Sequence, residues 1–205
     1  GEPGAEVYAA ATKRAQAKVL FDEATRMVKR SPSLSRRIRS YRDNLHIPNT
    51  ASKFEPLGRD ADSMDGLNVH AALIDELHAH PTSEVFDVLD TGTGARRNPV
   101  VFAITTAGFN LDSFCYQQRE YATKVLDSII EDDSFFGVIF TLDEGDDWED
   151  ERNWIKANPN LGVSVKLDDL RRKALKAKEI PAALTNFLTK HLNRWVNAES
   201  IWIHP

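Results

Sequence analysis

The chain has 205 residues, of which 41% are hydrophobic and 28% charged, and this excludes a disordered, collagenous or coiled-coil protein. The net charge of -5 is unevenly distributed: 10 basic and 5 acidic residues lie in 1–50, 2 and 12 in 101–150, and 10 and 5 in 151–205. No stretch has the ~18 consecutive apolar residues of a membrane span, residues 1–16 lack a signal-peptide pattern, and the single cysteine, Cys115, excludes an intrachain disulfide.

Apolar runs and turn residues predict alternating strands and helices in the first part of the chain. Residues 7–12 form a short apolar run that predicts a strand, and apolar residues three or four apart in 13–30 predict an amphipathic helix. Pro32 ends that helix. The segments 38–47 and 50–57 alternate polar and apolar residues, which predicts short or edge strands.

Three longer apolar runs predict buried strands. They cover 69–76, 99–105 and 136–142, and helical patterns separate them at about 85–89 and 112–130. Strands that are apolar throughout and alternate with helices are typical of a mostly parallel sheet covered on both faces. The predicted fold class is therefore α/β.

The composition changes after the third of these runs. An acidic run at 143–151 is followed by a tail in which apolar residues between Leu184 and Trp195 recur at helical spacing. A run of one charge is usually solvated surface. We therefore place a domain boundary near residue 150, with the α/β domain in 1–150 and a small helical subdomain in 151–205.

The strongest candidate for chemistry is an acidic pair at the end of an apolar strand. Asp75 and Glu76 directly follow the run 71–74, and ligands of open α/β sheets bind beyond the carboxyl ends of the strands. In P-loop NTPases the first such acid holds Mg²⁺ through water and the second is the general base for the water that attacks the γ-phosphate. The alternative is a plain solvent-facing strand end.

A second candidate lies at the end of the next strong strand, where Thr105 and Thr106 precede a turn. Hydroxyls at the tip of a neighbouring strand hydrogen-bond the γ-phosphate or the catalytic water in nucleotide switches, and so report which nucleotide is bound. The alternative is a simple exit from the strand, since threonine favours strands and glycine favours turns. Together the two strand ends have the order and approximate spacing found in motor ATPases.

Two other kinds of site are disfavoured by the sequence. A phosphate-binding loop has the pattern G-x-x-x-x-G-K-[ST], and the sequence contains no Gly-Lys dipeptide, so Gly92-x-Gly94 predicts only a loop. The acidic pair has histidines around it: His70, His78 and His80. Their spacing matches no zinc-site pattern, which disfavours a His-ligated metal.

A set of short segments has a familiar order: G-E-P-G-A-E-V-Y-A-A-A-T at 1–12, S-M-D-G-L-N at 63–68, L-I-D-E-L-H at 73–78, I-T-T-A-G at 104–108, A-N-P-N-L-G at 157–162 and L-N-R-W at 192–195. Together they resemble the large terminase subunit of tailed bacteriophages, the DNA-packaging motor. The resemblance extends over nearly the whole chain. The later segments are the more specific ones, because an acidic pair at a strand end is common.

This resemblance implies a partial P-loop NTPase-like core that binds ATP and Mg²⁺. It implies Asp75 as the Mg²⁺ residue, acting through water, and Glu76 as the catalytic base. Thr105 and Thr106 would couple hydrolysis to DNA movement. The arginine with which the family completes a neighbouring subunit's site has no secure match, and Arg59 is the candidate.

The resemblance also implies the setting in which the protein acts. The expected partners are double-stranded DNA, the portal protein of the procapsid, the small terminase subunit and further copies of the chain in a ring, with no membrane, in the cytoplasm of the bacterial host. The family has a metal-dependent nuclease after the ATPase. We expect the phosphate loop before residue 1 and the nuclease after residue 205, so that 1–150 is the carboxyl-side part of the ATPase core, 151–205 is a linker, and the chain is nearly inactive alone.

Two alternative functions remain open on the sequence. D-E-L-H at 75–78 also fits the DExH box of helicases, although T-T-A-G stands where helicases have Ser/Thr-Ala-Thr and no Q-R-x-G-R-x-G-R motif follows. A non-catalytic DNA-binding or assembly module would use the basic residues of 26–42 and 171–178. Its DNA affinity would depend on salt and not on Asp75 or Glu76.

Overall fold

A mostly parallel β-sheet organises the first 105 residues. The strands are β1 (Glu6–Ala10), β2 (Arg39–Ser40), β3 (Leu45–Ile47), β4 (Ser52–Leu57), β5 (Val69–Ile74) and β6 (Val100–Ala103). In a computed structural model, which describes residues 2–57 and 66–197, these six strands form one sheet in the order β2-β3-β4-β1-β5-β6. β1 is parallel to β4 and β5, and β5 to β6, whereas β2, β3 and β4 pair antiparallel at one edge. The predicted α/β class is confirmed.

Helices flank the sheet and follow it in the chain. The α-helices are α1 (Arg14–Arg30), α2 (Pro32–Ser35), α3 (Glu84–Thr91), α4 (Phe114–Leu126), α5 (Trp154–Ala157), α6 (Leu167–Glu179) and α7 (Pro181–Lys190), and 3₁₀ turns lie at Pro48–Thr50, Leu77–Ala79 and Glu151–Asn153. α1 packs against β1 and β4 through apolar residues at helical spacing, and α3 packs against β5. α1 ends at Arg30, as expected when Pro32 begins the next short helix.

The last strand of the sheet is less covered than its sequence predicts. β6 is apolar throughout, yet Val100 and Phe102 leave 53% and 52% of their surface exposed. β5, by contrast, buries Val69, Ala72 and Ile74 almost completely. The expectation that both faces are covered therefore holds better for β5 than for β6, because β6 is the edge strand of the described sheet.

The chain divides into two compact units, residues 1–105 and 106–205. The second unit contains a cluster of buried residues: Leu142, Trp154, Ala157, Leu170, Ala174, Ala177, Phe187, Leu188 and Leu192. α6 and α7 supply most of it and pack against each other. The expected domain boundary near residue 150 stays a prediction.

The acidic run 143–151 is paired with nearby basic side chains of the second unit. Lys156 Nζ lies 2.7 Å from Asp143 and 2.8 Å from Asp146, and Arg171 binds Glu151 at 2.8 Å. The Lys156 ammonium lowers the pKa of Asp146, and the Arg152 guanidinium lowers the pKa of Asp150 to about 2. Much of the acidic run and of the basic run 171–178 therefore forms a surface network of ion pairs.

The prediction of a strand at 136–142 is wrong. This segment pairs with no strand in the part of the chain that the structure describes. Phe136, Val138 and Phe140 are 84%, 55% and 49% exposed. A side chain binds the segment instead, with Asn193 Nδ2 donating to the Phe140 carbonyl at 3.0 Å. An apolar run becomes a strand only where a neighbour accepts and donates backbone hydrogen bonds, and hydrophobicity does not supply that neighbour.

The tail is less helical than its spacing predicts. α7 ends at Lys190, so Leu192 and Trp195 follow the helix in an irregular segment, although Leu192 is fully buried. Across 2–57 and 66–197, no helix combines the length and the apolar character that crossing a membrane requires.

Candidate functional site

Asp75 lies where β5 leaves the sheet. Its backbone N–H donates to the Ala10 carbonyl at 2.9 Å, which extends the pairing of β5 with β1 by one residue. Its carboxylate Oδ1 accepts the N–H of Glu76, also at 2.9 Å. The acid is therefore fixed at the carboxyl end of a parallel strand, the edge where open α/β sheets bind their ligands.

Glu76 has a left-handed backbone, with φ 52° and ψ 50°. This conformation is unfavourable for a residue with a side chain, and it persists where the surrounding structure enforces it. The next residue, Leu77, is buried and donates its N–H to the Ile104 carbonyl at 3.2 Å. Anchors on both sides thus force the turn at Glu76, whose side chain remains 43% exposed.

His78 connects the acidic pair with the end of β6. Its backbone N–H donates to Thr105 Oγ1 at 3.0 Å, and its ring Nδ1 lies 2.8 Å from the same oxygen. The same Nδ1 is 3.0 Å from Glu76 Oε2. His78 therefore links Glu76 and Thr105 in the structure. The sequence shows that this histidine lies near the acids but predicts no role for it.

A second histidine supports the backbone of the acidic pair. His80 is 8% exposed, and its Nε2 lies 3.3 Å from the Asp75 carbonyl. A carbonyl only accepts, so this contact requires the proton on Nε2. In the described ranges no group of three His, Cys, Asp or Glu residues is arranged to hold a metal ion.

An open depression of about 380 Å³ lies between Asp75 and one side of α1. It is lined by Val19, Leu20, Glu23, Ala24, Met27 and Asp75. Val19 and Met27 are 63% and 66% exposed. Asp75 is therefore accessible from the side of the sheet on which α1 lies.

Thr106 begins the second unit and contacts its last helix. Lys190 Nζ donates to Thr106 Oγ1 at 3.1 Å. Asn193, whose φ is 50°, accepts the N–H of Ala107 with Oδ1 at 3.3 Å while its Nδ2 binds Phe140. Residues 190–193 therefore hold the segment that follows Thr105. Arg59 lies outside the described residues.

Comparison with known proteins decides the family. A family model described as "Terminase large subunit, ATPase domain" matches residues 1–124, more than half of the chain. The chain belongs to the terminase large subunit family. A second model, "Terminase large subunit, endonuclease domain", matches 129–205, so similarity to the terminase nuclease begins well before residue 205, where we expected the nuclease to start.

Two individual proteins are similar to most of the chain. It is 25% identical over 209 residues to "Terminase, large subunit" of Enterobacteria phage HK97, covering 97% of this chain and 39% of that protein. It is 43% identical over 140 residues to "Protein YmfN" of Escherichia coli strain K12, covering 68% and 31%. The chain thus spans between about a third and two fifths of these relatives.

Solved terminase structures share the fold. The crystal structure of the HK97 large terminase matches with a TM-score of 0.83 at 23% identity, over 95% of this chain and 40% of that one. The large terminase of the thermophilic bacteriophage D6E, solved in complex with ADP, matches with a TM-score of 0.57 at 15% identity, over 96% and 41%. The comparisons give no support to the helicase alternative.

Asn193 gives a first testable prediction for this terminase chain. We expect Asn193→Ala to lower the local free energy of unfolding around 106–108 and 140–141 by about 2–3 kcal/mol, from two lost side-chain hydrogen bonds and the cost of alanine at positive φ. Asn193→Gly loses the same bonds without the conformational cost, so about 1 kcal/mol of the effect should return. Hydrogen exchange at the Ala107 amide measures both. Equal effects of alanine and glycine would contradict the role of the left-handed backbone.

His191 gives a second prediction, for the pH dependence of the second unit. Burial lowers the pKa of His191 from 6.5, as does the Lys173 ammonium, while Asp169 acts in the opposite sense. The unfolded chain therefore takes up the proton at higher pH than the folded chain, and stability decreases as the pH falls through 6.5 towards the lowered pKa. Urea unfolding followed by tryptophan fluorescence should show this slope, and His191→Phe should reduce it. An unchanged slope in that variant would assign it to another group.

Proposed function

We propose that the chain is part of a terminase large subunit that hydrolyses ATP to move double-stranded DNA into a procapsid. The family match supports the class of protein. The observation that carries the proposal at the site is the connection of the acidic pair, at the end of β5, with Thr105, at the end of β6, by contacts of 2.8 to 3.0 Å through His78.

Asp75 is proposed to hold Mg²⁺ through water. A carboxylate at the open edge of a parallel sheet fits this ion, which takes oxygen ligands and is commonly bound by one or two carboxylates together with water and substrate phosphates. When bound, Mg²⁺ would neutralise charge on the phosphates. Asp75 would orient it, since its backbone is fixed by β1.

Glu76 is proposed to be the general base for the attacking water. Its side chain is 43% exposed, and its carboxylate lies 3.0 Å from His78 Nδ1. Thr105 and Thr106 are proposed to report the nucleotide state, Thr105 to the acidic pair and Thr106 to Lys190. A hydroxyl has both a donor and an acceptor, which suits contact with a phosphate oxygen or with water.

The remaining parts of the motor are proposed to lie in the rest of the protein. The sequence has no phosphate-binding loop, and the relatives are more than twice as long as the matched region. We propose that the loop and the metal cluster of the endonuclease come from other residues of the longer protein. We propose that 1–150 is the carboxyl-side part of the ATPase core and that 151–205 is a linker leading towards the nuclease, within the region 129–205 that the endonuclease model matches. Arg59 is proposed to complete the site of a neighbouring subunit.

The proposed partners follow from the same assignment. They are double-stranded DNA, the portal protein, the small terminase subunit and further copies of the chain in a ring. The proposed location is the cytoplasm of the bacterial host, where such a motor would meet both DNA and procapsid.

The test is ATP hydrolysis by the complete protein. We expect phosphate release in the presence of Mg²⁺, stimulation by linear double-stranded DNA, and loss of hydrolysis when EDTA removes the metal. A partly duplex DNA with a labelled strand distinguishes the helicase alternative, which predicts strand displacement. Absence of hydrolysis with and without double-stranded DNA would refute the proposal.

A further inference from the structure

The side chain of His78 is largely buried and contacts two polar side chains. It is 10% exposed, and its Nδ1 faces both the Glu76 carboxylate and the Thr105 hydroxyl. The residues it joins lie on different strand ends and are separated by 29 positions in the sequence. The pairing of β5 with β6, in which Ile74 lies beside Ala103, places them together.

The chemistry of the two oxygens around Nδ1 favours a proton on that nitrogen. A carboxylate oxygen only accepts hydrogen bonds, so a bond from Nδ1 to Glu76 requires the proton on Nδ1. Thr105 Oγ1 accepts the backbone N–H of His78 and lies within reach of the same Nδ1 proton. With the proton on Nδ1, the ring faces two oxygens with proposed roles in hydrolysis, the Glu76 carboxylate and the Thr105 hydroxyl.

We propose that His78 is a positioning residue that fixes the Glu76 carboxylate relative to Thr105 by donating from Nδ1. This inference rests on the proposed function. Because Glu76 lies in a strained, left-handed turn with an exposed side chain, its carboxylate has few restraints of its own. His78 supplies one, and it makes the base and the coupling hydroxyl respond together when either contacts nucleotide.

Two amide side chains separate this role from a merely structural one. The amide nitrogen of asparagine is bonded to Cγ, as Nδ1 of histidine is, whereas that of glutamine lies one bond further out, near the position of Nε2. His78→Asn therefore retains a donor at the required place and His78→Gln does not. His46, in β3 and separated from β5 by two strands, provides the control His46→Asn.

The experiment measures kcat and KM for MgATP in the complete protein with saturating double-stranded DNA. We expect His78→Gln to lower kcat on the order of 10- to 100-fold with KM changed less than about twofold, since a misplaced catalytic group costs rate more than binding. His78→Asn should recover most of kcat, and His46→Asn should match the wild type. Equal kcat values for the asparagine and glutamine variants, whether high or low, would overturn the inference.

Failure of the inference is distinguishable from failure of the proposed function. A wild type that hydrolyses ATP and a Glu76→Gln variant that does not would uphold the function even if His78→Gln turned over normally. If circular dichroism shows that His78→Gln does not fold, Thr105→Val replaces it, because it removes the oxygen that anchors His78. Because Thr105 also has a proposed role of its own, the test then uses Thr105→Val, His78→Ala and the double variant. Non-additive losses of kcat support the inference, and additive losses, or wild-type kcat in Thr105→Val, overturn it.

Discussion

Replacing Glu76 by glutamine is expected to lower ATP hydrolysis by the complete protein about 100-fold or more, because a positioned general base contributes about 10²–10⁴ in rate. Glutamine has the same shape and tolerates the turn as glutamate does. Its amide oxygen can still accept a hydrogen bond from His78 Nδ1, so the contact at 3.0 Å can survive. What is lost is the ability to take a proton from water.

A measurement of nucleotide binding distinguishes loss of the general base from misfolding of the variant. We expect the affinity of Glu76→Gln for a fluorescent ATP analogue to stay within about threefold of the wild type, since the proposed role of the carboxylate is to act on water and not on the nucleotide. Glu84→Gln, at the start of α3 and exposed, is the matched control and should hydrolyse ATP normally. Turnover retained by Glu76→Gln would remove Glu76 from the role of base.

Replacing Trp154 by alanine is expected to cost the second unit about 3–5 kcal/mol of stability, the range for truncating a large buried aromatic residue. Trp154 is 1% exposed, and its ring packs against Phe187 with centroids 5.7 Å apart. Its indole N–H donates to the Trp148 carbonyl at 2.7 Å. Alanine would leave both a cavity and an unsatisfied carbonyl.

Hydrogen exchange in α6 and α7 of the complete protein reports this loss locally. Trp154→Phe retains much of the apolar contact but not the donor, so it should cost less than alanine. The neighbouring Ile155 is 48% exposed, and Ile155→Ala should cost less than about 1 kcal/mol. Similar protection of α6 and α7 in Trp154→Ala and Ile155→Ala would show that Trp154 does not organise this core.

The sequence predicts those helices and strands whose own residues carry a clear hydrophobic pattern. α1 has apolar residues at helical spacing and a proline just beyond its end, and β5 is apolar except for His70 and is followed by two acids. Both are found as predicted, with bounds shifted by one or two residues. The acidic pair and Thr105 were also recognisable because each follows an apolar strand directly.

The sequence does not predict features that depend on a partner elsewhere in the chain. The run 136–142 has the composition of a strand, but no strand of the described chain pairs with it. His78 looked like one of three loosely spaced histidines, and its contact with Thr105 follows only from the register of β5 with β6. Asn193 was part of a motif, yet its hydrogen bonds extend 86 and 53 residues back along the chain.

The ion pairs of the second unit reduce the number of basic side chains that are available to bind a polyanion. Lys156, Arg171 and Lys178 each bind a carboxylate of the run 143–151. A phosphate backbone that approached this surface would have to displace those carboxylates, and the gain from releasing its own counterions would be offset by the broken pairs. The paired cations of this face are therefore poor candidates for binding a polyanion, although the sequence alone marks 171–178 as a basic run.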